Sequence, residues 1–113
     1  MKAAFVPDAG DFVWLTFDPQ AGHEEAGRRP ALVLTPKIYN VRSGLALVCP
    51  VTSQVKGYPF EVAVPAGVGD AGVILADQLK SVDWKARHAE FLGRCSDDAL
   101  EELRAKLAPL LGF

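Results

Sequence analysis

The sequence predicts a mainly β domain: a small curled antiparallel sheet with one amphipathic helix packed against it at the C-terminal end. Three observations carry this. Short runs rich in β-branched and aromatic residues recur at regular spacing, separated by Gly, Pro, Asn and Asp. The run Leu45 to Val51 is almost continuously apolar, as in a strand buried on both faces. Beyond Cys95 the pattern changes to a helical period, with Leu100, Leu103, Leu107, Leu110 and Leu111 on one face.

Each element follows in order. Residues 10–17, Gly-Asp-Phe-Val-Trp-Leu-Thr-Phe, read as a strand, which Asp18-Pro19 ends because proline cannot donate to a ladder. Residues 19–29 form a polar loop containing glycines, Pro30 opens a strand from Ala31 to Thr35, and Pro36 closes it. Residues 37–44 read as a turn region, punctuated by Asn40 and Ser43-Gly44. After the buried run come a second polar loop, Thr52 to Pro59, and a half-buried alternating strand, Phe60 to Val64. A glycine-rich turn at 65–72 leads to a short strand, Val73 to Ala76, and residues 82–92 hold one more strand, broken or curled. Ser96 or Asp98 caps the final helix, with Asp98 and Glu101 spaced as a capping box, and Pro109 kinks or ends its last turn.

With 113 residues the chain makes a single domain, 1–113, with one core. No apolar run approaches the roughly 20 residues of a membrane span, and the first residues lack the long apolar stretch of a secretory signal. The expectation is a cytoplasmic protein with no membrane role. Cys49 reads as a small core residue and Cys95 lies before the last helix, with no disulfide framework and no C-x-x-C pair. Residue spacing offers no metal site: His23 and His88 stand far apart, and Asp8, Asp11 and Asp18 suit turns and strand edges. No metal and no cofactor are expected.

The net charge of -2 excludes a generic polybasic nucleic-acid binder. Charge is uneven, however. Residues 21–60 carry Arg28, Arg29, Lys37, Arg42 and Lys56 against Glu24 and Glu25, a local +3. Nucleic-acid contact must therefore use a local basic surface.

Two polar loops carry the chemistry. Gly22-His23-Glu24-Glu25-Ala26-Gly27-Arg28-Arg29-Pro30 sets carboxylates, an imidazole and two guanidiniums directly before a rigid strand. An arginine fixed there suits a phosphate, which it grips with two parallel hydrogen bonds. A guanidinium stays protonated, so Arg29 binds phosphate and stabilises transition-state charge, unless it is simply paired with Glu24 or Glu25. Thr52 ends the buried run, so its hydroxyl either meets a phosphate oxygen or caps its own turn. Glu24 can take a proton from a hydroxyl, orient Arg29, or stay solvated. Lys56 and Lys80 suit phosphate contacts, Gln78 has the donor and acceptor to read a base edge, and Tyr58 and Phe17 can stack on unpaired bases or fill the core, as can Trp14. His23 matters only beside a phosphate.

These loops, with Pro7-Asp8-Ala9-Gly10-Asp11, Pro50-Val51-Thr52-Ser53, Lys56-Gly57-Tyr58-Pro59-Phe60-Glu61-Val62 and Leu75-Ala76-Asp77-Gln78-Leu79-Lys80-Ser81, resemble the MazF/PemK toxins of type II toxin–antitoxin systems. The resemblance is strong over about residues 5–93 and holds by pattern for the final helix. It implies an SH3-like barrel, the fold these toxins share with gyrase-poisoning CcdB-like toxins. It also implies a metal-independent, sequence-specific endoribonuclease that cuts single-stranded mRNA away from the ribosome and so arrests translation and growth. By the same resemblance Arg29, Thr52 and Glu24 are catalytic, with Glu24 preferred over Glu25 and proton transfer shared with Arg29, and Ser53 touches RNA. Arg28 adds positive charge where some relatives carry histidine. A homodimer is implied, with a MazE-like antitoxin whose acidic tail lies across a basic groove, and binding of operator DNA by the toxin–antitoxin complex. Two other functions fit the same fold: a gyrase poison acting through its C-terminal helix, and a non-catalytic module that binds RNA or peptide.

Overall fold

The computed structural model describes residues 5–18, 22–65, 68 and 72–113. Seven strands and two α-helices occur in the order β1 (Asp11–Thr16), β2 (Arg28–Val33), α1 (Lys37–Ser43), β3 (Leu45–Thr52), β4 (Glu61–Ala63), β5 (Val73–Leu75), β6 (Lys80–Asp83), β7 (Glu90–Arg94) and α2 (Asp97–Leu111), with a 3-10 helix at Ala76–Gln78. All pairings are antiparallel.

β3 is the hub. Its first half pairs with β6 and its last two residues pair with β5, while β2 lies along its other side. The path β6-β3-β2-β1-β7 thus places two consecutive strands at its two ends. The six-residue link 84–89 joins them, so the sheet must curl until its edges approach. The expected curled barrel is therefore present, with its sheet unclosed.

Successive residues of a strand face opposite ways. Phe12, Leu32, Cys49 and Val51 join one buried cluster with Leu103 and Leu107 of α2, whereas Val13, Leu15, Ala31, Val33 and Val48 join a second inside the curl. Two apolar faces explain the uninterrupted Leu45–Val51 run. Where Phe12 and Val13 face Gly93 and Phe91, β7 carries one extra residue, Leu92, a bulge that bends β7.

Several expectations need correction. Residues 37–43 form a helix rather than a turn, because Asn40 is buried completely and fully bonded. Its Nδ2 donates to the carbonyls of Pro7 and Thr35 at 2.9 Å each, and its Oδ1 accepts from the Thr35 hydroxyl at 2.6 Å. The region 82–92 holds a strand end and a strand start, β6 and β7, separated by a turn in which His88 takes φ 58°. Ser96, not Asp98, caps α2, its Oγ accepting from the Ala99 N–H at 3.2 Å. Pro109 lies inside the helix. Leu110 and Leu111 leave the apolar stripe and stand about half exposed, at 52% each. The expected turn at 65–72 falls largely outside the described residues.

Candidate active site

The β1–β2 loop, the start of the β3–β4 loop and the 3-10 helix meet at one groove. The first is clamped. Asp18 Oδ1 accepts from the Gly27 N–H at 2.9 Å, and the Gly27 carbonyl accepts from the Phe17 N–H at 2.9 Å. Gly27 has φ +76°, which costs an L side chain dearly, so the turn into β2 needs glycine. Farther along the loop, the Glu25 N–H donates to Gln78 Oε1 at 3.0 Å.

Between these two clamps the loop offers acceptors to Arg29. The Arg29 Nε donates to the Ala26 carbonyl at 2.7 Å, and Nη1 meets Glu25 Oε2 at 3.0 Å and the Val51 carbonyl at 3.4 Å. Both charged groups are three-quarters buried, with side-chain exposures of 25% and 24%, so their pairing is less screened than one on the open surface.

β2 and β3 set the guanidinium against Thr52. Ala31 faces Pro50 at the end of their ladder, and Arg29 Nη1 reaches the carbonyl of Val51, the residue before Thr52. Thr52 is buried, and its Oγ1 accepts from the Gln54 N–H at 3.2 Å, which leaves the hydroxyl hydrogen to donate. The chain packs tightly behind it, since a Cβ on Gly72 would collide with the Thr52 carbonyl.

Two adjoining cavities form the groove. The larger, about 260 Å³, is lined by His23, Glu25, Thr52, Lys56, Tyr58 and Gln78, among others. The smaller, about 190 Å³, is lined by Phe17, Glu24, Leu79 and Lys80, and it shares Glu25, Asp77 and Gln78 with the first. Tyr58 leans on Phe60 at 5.4 Å between ring centroids, and Lys56 Nζ sits 5.9 Å from the Tyr58 ring. The buried Glu61 carboxylate accepts from the Lys56 and Gly57 N–H groups at 3.2 and 2.9 Å, shaping the loop that presents both. Burial pushes the Asp77 carboxyl above its ordinary value; its own backbone N–H opposes the shift and the Glu61 charge adds to it. These carboxylates make the wall rich in acceptors, a surface suited to the amino groups of nucleobases, with lysines at the rims for phosphate.

The groove thus gathers Thr52, Glu24, Lys56, Tyr58, Gln78 and Lys80, and Arg29 lines neither cavity but adjoins them through Glu25 and the Val51 carbonyl. Ser53 is exposed immediately beyond Thr52 and lines neither cavity. Arg28 is not in the groove. Strand alternation sends it to the opposite face, where it pairs with Glu90 at 2.8 Å and donates to the His88 carbonyl and Thr16 hydroxyl. Of the two glutamates that could pair with Arg29, Glu25 makes the ion pair, and Glu24 lies exposed at the second cavity. The expected structural roles of the aspartates hold, with Asp8 accepting from the Ala9 and Lys37 N–H groups and Asp11 pairing with Arg94 at 2.7 Å. Phe17 is core, 2% exposed, yet forms part of the smaller cavity. Sequence reasoning missed Asp77, Glu61 and Gly72. Asp77 adjoins Gln78 in a run already singled out, which was the available signal.

Residues 8–111 match the family described as PemK-like, MazF-like toxin of type II toxin–antitoxin system. The chain is 47% identical to the endoribonuclease toxin MazF of Escherichia coli (strain K12) over 112 residues, covering 99% of this chain and 100% of that one. It is 36% identical to the Escherichia coli endoribonuclease PemK over 104 residues, 88% of this chain and 78% of that one. Among solved structures, MazF (Form-I) from Deinococcus radiodurans is similar at TM-score 0.94 and 58% identity, covering 97% of this chain and all of that one, 100%. The MazE–MazF complex (Form-II) from the same organism gives TM-score 0.86 and 53% identity, covering 97% and 99%.

Proposed function

The chain belongs to the PemK-like, MazF-like toxin family of type II toxin–antitoxin systems and is an endoribonuclease toxin; we propose that it cuts single-stranded RNA at a short sequence by using the RNA's own 2′-hydroxyl as nucleophile. The observation that carries this reading is the Arg29 guanidinium, held by Ala26, Glu25 and the carbonyl of Val51, the residue before Thr52, beside a groove with aromatic and lysine walls.

Such a site needs little chemistry of its own, because the nucleophile lies beside the scissile phosphorus. Glu24, exposed at the neighbouring cavity, takes the 2′-proton. The 2′-oxygen bonds to phosphorus, the bond to the 5′-oxygen breaks and the leaving oxygen takes a proton from water, giving a 2′,3′-cyclic phosphate and a 5′-hydroxyl. Arg29 and the Thr52 hydroxyl donate to the phosphoryl oxygens as charge builds on them. Tyr58 stacks on a base, Lys56 and Lys80 neutralise flanking phosphates, and the result is arrested translation.

Similar solved structures from Deinococcus radiodurans are MazE–MazF complexes, at 51% to 53% identity, and a MazE-like antitoxin is the partner we infer for this chain. Its acidic tail would cover the lysine-rimmed groove, the toxin would act as a homodimer, and the complex would bind operator DNA through the antitoxin.

Incubation with a long mixed-sequence single-stranded RNA in EDTA, with mapping of product 5′ ends, tests the reading. Expected are discrete cuts sharing a short motif, with 5′-hydroxyl ends, absent with Arg29→Ala. Intact RNA from the folded wild-type protein overturns it.

A further inference from the structure

Gln78 belongs, by residue type, among the base-reading groups of the groove, but its side-chain oxygen is already engaged. It accepts from the Glu25 N–H at 3.0 Å, joining residues 53 positions apart. This bond lies one residue before the Ala26 carbonyl that holds Arg29 Nε, and on the same residue whose carboxylate holds Arg29 Nη1. On the other side of Ala26, Asp18 holds the Gly27 N–H. The loop segment that aims Arg29 is therefore pinned at both ends, by Asp18 and by Gln78.

The two pins differ in what else they touch. Gln78, with Glu25 and Asp77, lines both cavities of the groove, whereas Asp18 lines neither. Gln78 stands at the end of the 3-10 helix, between the buried Ala76 and the start of β6, so its backbone is fixed by the fold rather than by the loop it holds. Its amide can thus transmit position from the barrel to the loop.

We propose that Gln78 is a positioning residue for the cleavage reaction: through the Glu25 main chain it holds the carboxylate that aims the Arg29 guanidinium. This rests on the nuclease reading above and goes beyond it, because it assigns Gln78 to the chemical step and not to RNA affinity alone. A loop hydrogen bond removed at this distance from the phosphate lowers kcat, since Arg29 misaims, while KM changes little.

The experiment is a double-mutant cycle of Gln78→Met and Glu25→Ala, read by single-site cleavage kinetics, with the Arg29 Nε–H resonance of the RNA-free protein followed by nitrogen-15 NMR. Gln78→Met keeps the length of the side chain and removes its acceptor. The expected result is a kcat about ten-fold lower in the wild-type background and little further loss in the Glu25→Ala background, where no carboxylate remains to be aimed. The Arg29 Nε–H signal should shift and exchange faster with water in Gln78→Met, with native chemical shifts retained in α2. A loss confined to KM, the same kcat loss in both backgrounds, or an unmoved Arg29 signal overturns the proposal. The NMR arm gives its answer even if the wild-type protein cuts no RNA, so failure of the nuclease reading and failure of this inference are told apart.

Discussion

Arg29 and Thr52, the groups proposed to meet the transition-state charge, each have a backbone fixed by a ladder rather than a loop. Thr52→Val keeps shape and burial and removes the hydroxyl; single-turnover cleavage should slow about 100-fold, the scale of losing one oxyanion donor, with an unchanged melting temperature. Glu24 and Glu25 should separate in the same assay. Glu24→Ala removes the proposed base and lowers kcat by about 100-fold, leaving the Arg29 Nε–H signal in place, while Glu25→Ala moves that signal. Thr52 was legible in the sequence because it ends a buried strand, whereas Arg28 and Arg29, read there as loop residues, open β2. Which glutamate meets Arg29 was not legible, since the turn geometry of a glycine-flanked loop decides it and no periodicity encodes that. Burial, with a smaller contribution from the Asp77 charge, pushes the Cys49 thiol from 9.0 up to about 12. A raised folded value means that its stabilising contribution is complete below pH 9.0 and is lost as pH rises toward about 12. Urea midpoints should fall over that window, and less steeply in Cys49→Ala.

Helix α1 shows how one side chain overrides local signals. Asn40 and Ser43-Gly44 look like turn residues, and Gly44 does end the helix in the left-handed region at φ 75°. Asn40, though, turns inward and ties three segments together: the residues before β1, the end of β2 and, through its own carbonyl, the Trp84 indole at 2.9 Å. A seven-residue helix is too short to persist by propensity, so these bonds hold it. Asn40→Ala should cost about 2–4 kcal/mol in chemical denaturation, because the carbonyls of Pro7 and Thr35 lose their donor. Helix α2 was legible in its start and in Leu103 and Leu107. Its last turn was not, because the leucine stripe outlasts the surface it packs against, and Leu110 and Leu111 emerge exposed.

At the scale of the molecule, both faces of the β6-β3-β2-β1-β7 sheet are apolar, one closed by α2 and the other by the curl itself. Leu103 is fully buried in the α2 cluster, and Leu103→Ala should destabilise by about 2–5 kcal/mol in urea titration. Alternation and strand count made this architecture legible. The curl itself comes from β3 pairing with two strands in succession along one side, a long-range choice that no local window records. The clamps on the β1–β2 loop take hold of it by peptide N–H groups, at Glu25 and Gly27, with acceptors on Asp18 at the start of the loop and on Gln78 in the 3-10 helix. The loop is consequently an exchangeable cassette: residues 23 and 26 can be rewritten without loosening its two fasteners, and a library varied there is the natural place to evolve new cleavage words on an unaltered barrel.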